Sequence, residues 1–234
     1  MKALYRTFLS TQATLGRLAG LAALGLLAVL LGVVVGAGDS ADPVGEGIGL
    51  ISSYGLALFV PVTTLVFASA VLGEPNEDGT LVYLWLRPVA RWRLVAVAVA
   101  AALTVALPVA VVPLTVAAVA TGAGAGLVVA TLAATTMATV AYAGVFTWLG
   151  LRARRALLWG MAYILVWEGF VARAGGTASL LAVRAHTRSL LARLADGAPE
   201  LVEVTLARSI IVPLAAAAGA LTLTVRRLSR QDVA

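Results

Sequence analysis

The stretch LVAVAVAAALTVALPVAVVPLTVAAVA, Leu94–Ala120, decides the fold. It is one uninterrupted apolar block, with neither the alternation of a half-buried strand nor the one-sided stripe of a surface helix. About 18 or more such residues suffice to cross a bilayer as a helix, because each rises about 1.5 Å and the hydrocarbon core is about 30 Å thick. The block ends at Thr121-Gly122-Ala123-Gly124-Ala125-Gly126, a short glycine-rich run that reads as a tight hairpin into a second block, Ala123–Leu151. Working outward, Leu18–Ala37 and Ile48–Leu72 precede this pair, and Ala156–Ala172 and Ile210–Val225 follow it. The expectation is an all-α integral membrane bundle of six spans, forming a single domain over residues 1–234. Pro61, Pro108, Pro113 and Pro213 fall inside spans, where each removes a backbone donor and can kink its helix.

Composition agrees. The 234 residues are 61% hydrophobic and only 12% charged, with a mean hydropathy of +1.00. A soluble domain carries roughly a quarter of its residues as charges, so the surface of a water-soluble globule is out of reach. There are no cysteines, which excludes disulfides and thiolate metal sites. The net charge of +6 does not point to nucleic acid, because the basic residues sit between spans, where they set orientation. With the N-terminus in the cytoplasm, the inner side carries Lys2, Arg6, Arg17, Arg87, Arg91, Arg93, Arg152, Arg154, Arg155, Arg226, Arg227 and Arg230. The outer side keeps Arg173, Arg184, Arg188, Arg193 and Arg208, and the first outer loop holds only acids, Asp39, Asp42 and Glu46. Both termini are then cytoplasmic.

The leader before the first span is basic, and its apolar block is longer than the usual core of a signal peptide, which disfavours cleavage. On a helical wheel Leu4, Phe8, Leu15 and Leu18 share one side and Lys2, Arg6 and Arg17 the other, with Leu9 off the stripe. This reads as an amphipathic helix suited to the cytoplasmic headgroup layer or as an ordinary basic flank. Near the other end of the chain, Leu180, Val183, Leu190, Leu191 and Leu194 share a helical face flanked by Arg184, Arg188 and Arg193, the pattern of an external amphipathic helix at the outer interface. Asp196-Gly197 signals a turn, and Pro199 can open the helix that becomes the last span. Gly16 with Gly20, and Gly32 with Gly36, have the spacing that lets membrane helices pack closely.

The loop between the second and third spans reads Gly73-Glu74-Pro75-Asn76-Glu77-Asp78-Gly79-Thr80-Leu81-Val82-Tyr83-Leu84-Trp85-Leu86-Arg87-Pro88-Val89-Ala90-Arg91-Trp92-Arg93. An acidic cluster ends in Gly79, and a short apolar helix fits Thr80–Leu86. Arg87 precedes Pro88, a position that disfavours the helical region, so that helix stops there and Pro88 opens the next. A loop this apolar packs on the bilayer or in a partner's groove. In the fifth span, Tyr163-Ile164-Leu165-Val166-Trp167-Glu168-Gly169-Phe170 contains Glu168, the ionisable residue within the spans. It lies thirteen residues after Arg155, about 20 Å along a helix and so in the outer part of the bilayer. Charges at that depth are costly; they face a bundle interior, a cavity or a partner, or else bond to a neighbouring helix or snorkel to the interface.

On these residues the chain resembles the permease subunits of the type-2 ABC exporters. Their loop between spans two and three typically reads glutamate, a few polar residues, Asp-Gly-Thr, a leucine-rich stretch and Arg-Pro-Val-x-Arg. Here the matching residues are Glu74, Asp78-Gly79-Thr80, Leu81 to Leu86, and Arg87-Pro88-Val89-Ala90-Arg91. Tyrosine, aliphatics and Trp-Glu-Gly in the fifth span are similar to the same family, and with six spans the likeness covers essentially the whole chain. Pro75 stands where many relatives carry arginine, which puts in question the ion pair such an arginine would make.

The resemblance implies that the loop is a coupling helix seated in a cleft of a cytoplasmic ABC ATPase. Glu74, Glu77, Asp78, Gly79, Thr80, Arg87, Pro88 and Arg91 would then be its coupling residues, with Trp167 and Glu168 in a translocation path or at a permease dimer interface. It implies two ATPase copies, a second permease copy as a homodimer, surrounding membrane lipid, and residence in the plasma (inner) membrane. Lys2 is the one lysine, so the chain has no P-loop; ATP and Mg²⁺ would be bound by the partner ATPase and no cofactor by this chain. His186 is the one histidine, which leaves no catalytic zinc cluster and no serine–histidine pair within a span. The chain is thus expected to be non-catalytic by itself. The residues leave other readings open: an ATPase-independent secondary transporter or channel, or a scaffold or mechanical relay to an external partner.

Overall fold

A computed structural model describes residues 2–12, 14–80, 89–169, 182–198, 201–202 and 204–230. The described residues form helices and turns, with no strand among them. In chain order the helices are α1 (Lys2–Gln12), α2 (Leu15–Ala37), α3 (Pro43–Glu77), α4 (Arg91–Ala120), α5 (Ala125–Arg152), α6 (Ala156–Glu168), α7 (Val183–Leu194) and α8 (Leu206–Arg230). Of these, α2, α3, α4, α5 and α8 are long and apolar enough to cross a membrane. The short α6 covers thirteen residues, Ala156–Glu168, about 20 Å of helix and less than the hydrocarbon core. The expected fifth block ran to Ala172, but Gly169 is already in a turn and 170–172 lie outside the described residues.

At the centre of the bundle, α5 packs against α3, α4, α7 and α8. Its sequence explains the position. Ala130, Ala134, Ala138 and Ala141 are fully buried, and small side chains let membrane helices approach backbone to backbone. Three of its four buried threonines bond within the helix: Thr135 Oγ1 donates to the Thr131 carbonyl (2.6 Å), Thr139 to Thr135 (2.7 Å) and Thr147 to Ala143 (2.7 Å). Each hydroxyl is thereby hidden, and the methyl group is left for packing. A side chain at Gly150 would run into the Ser69 backbone of α3, and one at Gly144 would stand 2.7 Å from the Ala217 Cα of α8.

Of the two glycine pairs, the structure uses one. Gly32 and Gly36 of α2 lie against the backbone of Ala117 and Ala120 of α4, whereas nothing stands within 4 Å of a side chain built at Gly16 or Gly20. The hairpin between α4 and α5 is as tight as expected, with Gly122 and Gly124 at φ of 70° and 92°, a region costly for a residue with a Cβ.

Proline positions are accommodated rather than avoided. Ile51–Phe59 within α3 is wound as a π-helix, and Val60 donates to the carbonyl of Gly55, five residues back. These wide turns stand immediately before Pro61, whose ring crowds the preceding turn and which cannot donate. The helix also continues through Pro75 to Glu77, beyond the expected boundary at Leu72, because its last turn is held by contacts described below.

Two amphipathic assignments change. The leader breaks between Gln12 and Leu15, so Leu15 and Leu18 belong to α2, and Leu15 is 88% exposed. Leu4 and Phe8 of α1 are buried against the bundle, the Tyr5 hydroxyl meets Thr104 Oγ1 of α4 at 2.8 Å, and Gln12 is buried against α3. Helix α7 is buried on nearly every side, with Arg184, His186, Thr187 and Ser189 inside along with Leu190 and Leu191. A helix with a single apolar face would bury only one stripe; α7 instead inserts against α5 and α8. By contrast Leu26, Leu30, Val33 and Val34 of α2 and Ile211, Leu214 and Leu223 of α8 are exposed. Aliphatic side chains outward, with the close helix contacts inside built on small and hydroxylic residues, is the arrangement of a bundle surrounded by lipid.

Candidate functional site

Four helix ends meet at one corner of the bundle: the start of α2, the end of α3, the end of α5 and the start of α6. Glu74, one turn before the end of α3, forms an ion pair with Arg17 of α2. Glu77 accepts the backbone N–H of Arg155 through Oε1 at 2.8 Å. That N–H belongs to a residue in the left-handed conformation (φ 61°) at the turn between α5 and α6, where the chain must reverse. The two carboxylates therefore tie the end of α3 to two other helix junctions. Between them opens a cleft of about 400 Å³, lined by Arg17, Glu74, Glu77 and Arg155 on its polar side and by Val66, Ala70, Leu157 and Leu158 among others.

Three more residues of the expected coupling set follow directly on α3. Asp78, Gly79 (φ 68°) and Thr80 are exposed and form the turn after α3. Arg91, half-exposed, is the first residue of α4. Arg87, Pro88 and the stretch from Leu81 to Leu86 lie outside the described residues. Glu74 takes its ion partner from Arg17, 57 positions away in the chain. In the sequence Arg17 reads as an orienting charge on the polar side of the leader and Arg155 as an orienting charge; nothing local in the chain signals their contacts.

The second polar centre is Glu168, only 1% exposed. Its Oε1 accepts the N–H of Val183 (3.2 Å) and the hydroxyl of Tyr163 (3.1 Å), and its Oε2 accepts the N–H of Arg184 (3.1 Å). Val183 and Arg184 open α7. A helix N-terminus leaves unpaired N–H groups and a partial positive charge, so a carboxylate there is both hydrogen-bond partner and counter-charge. The Arg184 Nη1 adds a 3.5 Å contact to the Glu168 carbonyl. Tyr163 is itself held edge-on by Phe146, which stacks on the fully buried Tyr142 of α5. Trp167, the neighbouring residue, is half-buried. Within the single chain the Glu168 carboxylate is thus enclosed and serves as a cap for α7. Tyr142 and Arg184, which complete this cluster, carry no sequence signal that would have grouped them with it.

A bundle with apolar helices of membrane-crossing length, outward aliphatic surfaces and charges gathered at helix ends defines a multi-pass membrane protein. No family model matches the chain, and no curated protein matches it.

Proposed function

We propose that the chain is the membrane-spanning permease subunit of an ATP-binding-cassette exporter of the type-2 class, moving its substrate across the plasma membrane with ATP hydrolysed by a separate ATPase. One observation carries this reading. The loop with the Asp-Gly-Thr and Arg-Pro-Val-x-Arg pattern leaves α3 directly after Glu74 and Glu77, which are bonded to Arg17 of α2 and to the α5–α6 turn. A push on that loop would reach four helix ends at once, as a coupling element requires. In this reading the bundle has six spans, α6 belongs to the fifth of them, both termini are cytoplasmic, and α1 lies at the cytoplasmic membrane face. A second copy of the chain and two ATPases complete the transporter. Closure of the ATPase pair moves the 81–88 segment, and the corner made by Glu74 and Glu77 passes the movement to α2, α3, α5 and α6. A ligand shifts such an equilibrium only through contacts that differ between the two states, so Glu74, Asp78, Arg87 and Arg91 are the residues whose charge should matter.

The test is affinity purification of the chain from its native host in mild detergent, followed by mass spectrometry. A P-loop ATPase in roughly stoichiometric amount, lost from the Arg87→Glu, Arg91→Glu double variant, is the expected result. A chain that purifies alone, with no ATPase under any condition, overturns the reading. So do charge-reversed variants at Glu74 and Asp78 that keep the ATPase and full transport.

A further inference from the structure

We infer that the corner cleft is a binding site for a zwitterionic phospholipid headgroup bearing a primary ammonium, of the phosphoethanolamine kind. This requires only that the bundle sits in a membrane and is independent of any ATPase. At about 400 Å³ the cleft falls in the size range of small-molecule sites, roughly 300–1,000 Å³.

Its walls divide by chemistry. Arg17, Glu74, Glu77 and Arg155 supply two cations and two anions, while Val66, Ala70, Ala156, Leu157 and Leu158 supply an aliphatic side. The charges sum to zero, so an anionic headgroup would face two carboxylates and a purely cationic one would face two guanidinium groups. A headgroup with one phosphate and one ammonium matches both signs.

Particular atoms support the match. Arg17 commits Nη2 to Glu74, and its Nη1, shielded from solvent, has no acceptor among the described residues. A shielded guanidinium N–H without an acceptor is costly, and a phosphate oxygen would satisfy it with a charge-assisted bond. Glu77 uses Oε1 on the Arg155 N–H, leaving Oε2 without a hydrogen-bond partner among the described residues. An ammonium with N–H donors can fill that position, whereas a quaternary choline cannot donate. Immediately beyond Arg155, Leu157, Leu158 and Trp159 are 50%, 63% and 63% exposed. Leu157 and Leu158 line the cleft and offer an aliphatic wall for an acyl chain, and the neighbouring Trp159 supplies an indole of the kind that marks the headgroup level.

The experiment is native mass spectrometry of the purified, delipidated chain given equal amounts of phosphatidylethanolamine, phosphatidylcholine and phosphatidylglycerol with identical acyl chains. Phosphatidylethanolamine is expected to be retained about ten-fold over the other two, the preference that one charge-assisted hydrogen bond confers. Glu77→Gln is expected to remove most of that preference. Leu157→Trp, which fills the exposed wall without altering charge, is expected to remove the bound lipid and carries the test if Glu77→Gln does not fold. Equal retention of the three lipids, a preference for phosphatidylglycerol, or undiminished phosphatidylethanolamine on folded Leu157→Trp overturns the proposal. Because no ATPase is present, none of these outcomes bears on transport.

Discussion

The carboxylate of Glu168 caps a helix that begins fifteen residues later, accepting the amide of Val183 at 3.2 Å and that of Arg184 at 3.1 Å. These two hydrogen bonds join the end of the short helix α6 to the start of α7 and explain how a carboxyl group is accommodated in an apolar bundle. Two amides, a tyrosine hydroxyl and the positive end of a helix take the place of water.

Glu168→Gln keeps the size of the side chain but replaces one of the two acceptor oxygens with a donor, which would then face an N–H group. The expected cost is about 1–3 kcal/mol, the penalty for a buried polar group left unpaired, measured as a lower midpoint of thermal unfolding in detergent. Glu168→Ala should cost at least as much, and Tyr163→Phe less, since it removes one neutral donor. A Glu168→Gln chain that melts like the parent would show that the cap carries no stability.

The Arg17–Glu74 pair is partly exposed, its side chains 27% and 41% accessible, so its stability contribution should be small, about 0–1 kcal/mol. Its importance under the proposed function is geometric. Arg17→Glu and Glu74→Arg each place like charges together and should uncouple ATP hydrolysis from transport, whereas the swapped double variant should recover coupling. Single reversals that transport normally would leave the pair without a mechanical role.

Orientation can be read directly, because the chain has no cysteine. Ala41→Cys and Arg154→Cys place thiols at exposed positions in the α2–α3 and α5–α6 connections. With cytoplasmic termini, a membrane-impermeant thiol reagent added to intact cells should label the first and spare the second until the cells are opened. The reverse pattern would invert the bundle and move the corner cleft to the other face.

Several features were legible without coordinates. The apolar lengths of Leu94–Ala120 and Ala123–Leu151 and the glycines between them predict two helices and a tight hairpin, and α4 and α5 differ from those bounds by a few residues. Leucine and valine run length is a local property, as is the freedom of Gly122 and Gly124 at positive φ. The importance of Glu168 was also visible, since an acid inside an apolar run demands a partner. Its two amide partners were not, because Val183 and Arg184 belong to α7, which the chain reaches only after a further turn; Tyr163, on α6 itself, is the local one.

Local sequence is enough for an all-helical chain, the approximate bounds of its long apolar helices, and the residues whose charge is conspicuous. Which acid meets which base or amide is set by the packing of the helices: Glu74 with Arg17, Glu77 with the Arg155 N–H 78 positions away, and Glu168 with the start of α7. The same packing leaves the described part of α6 short of a full crossing, buries α7 nearly all round, and moves Leu15 from the α1 stripe to the exposed start of α2. The physical reason is the same in each case. Helix length and apolarity are encoded locally, but in a bundle whose lipid-facing and protein-facing sides are both apolar, hydrophobic periodicity does not mark the face that packs. That choice rests on small-residue contacts such as Gly36 against Ala120, which exist only once the helices have met.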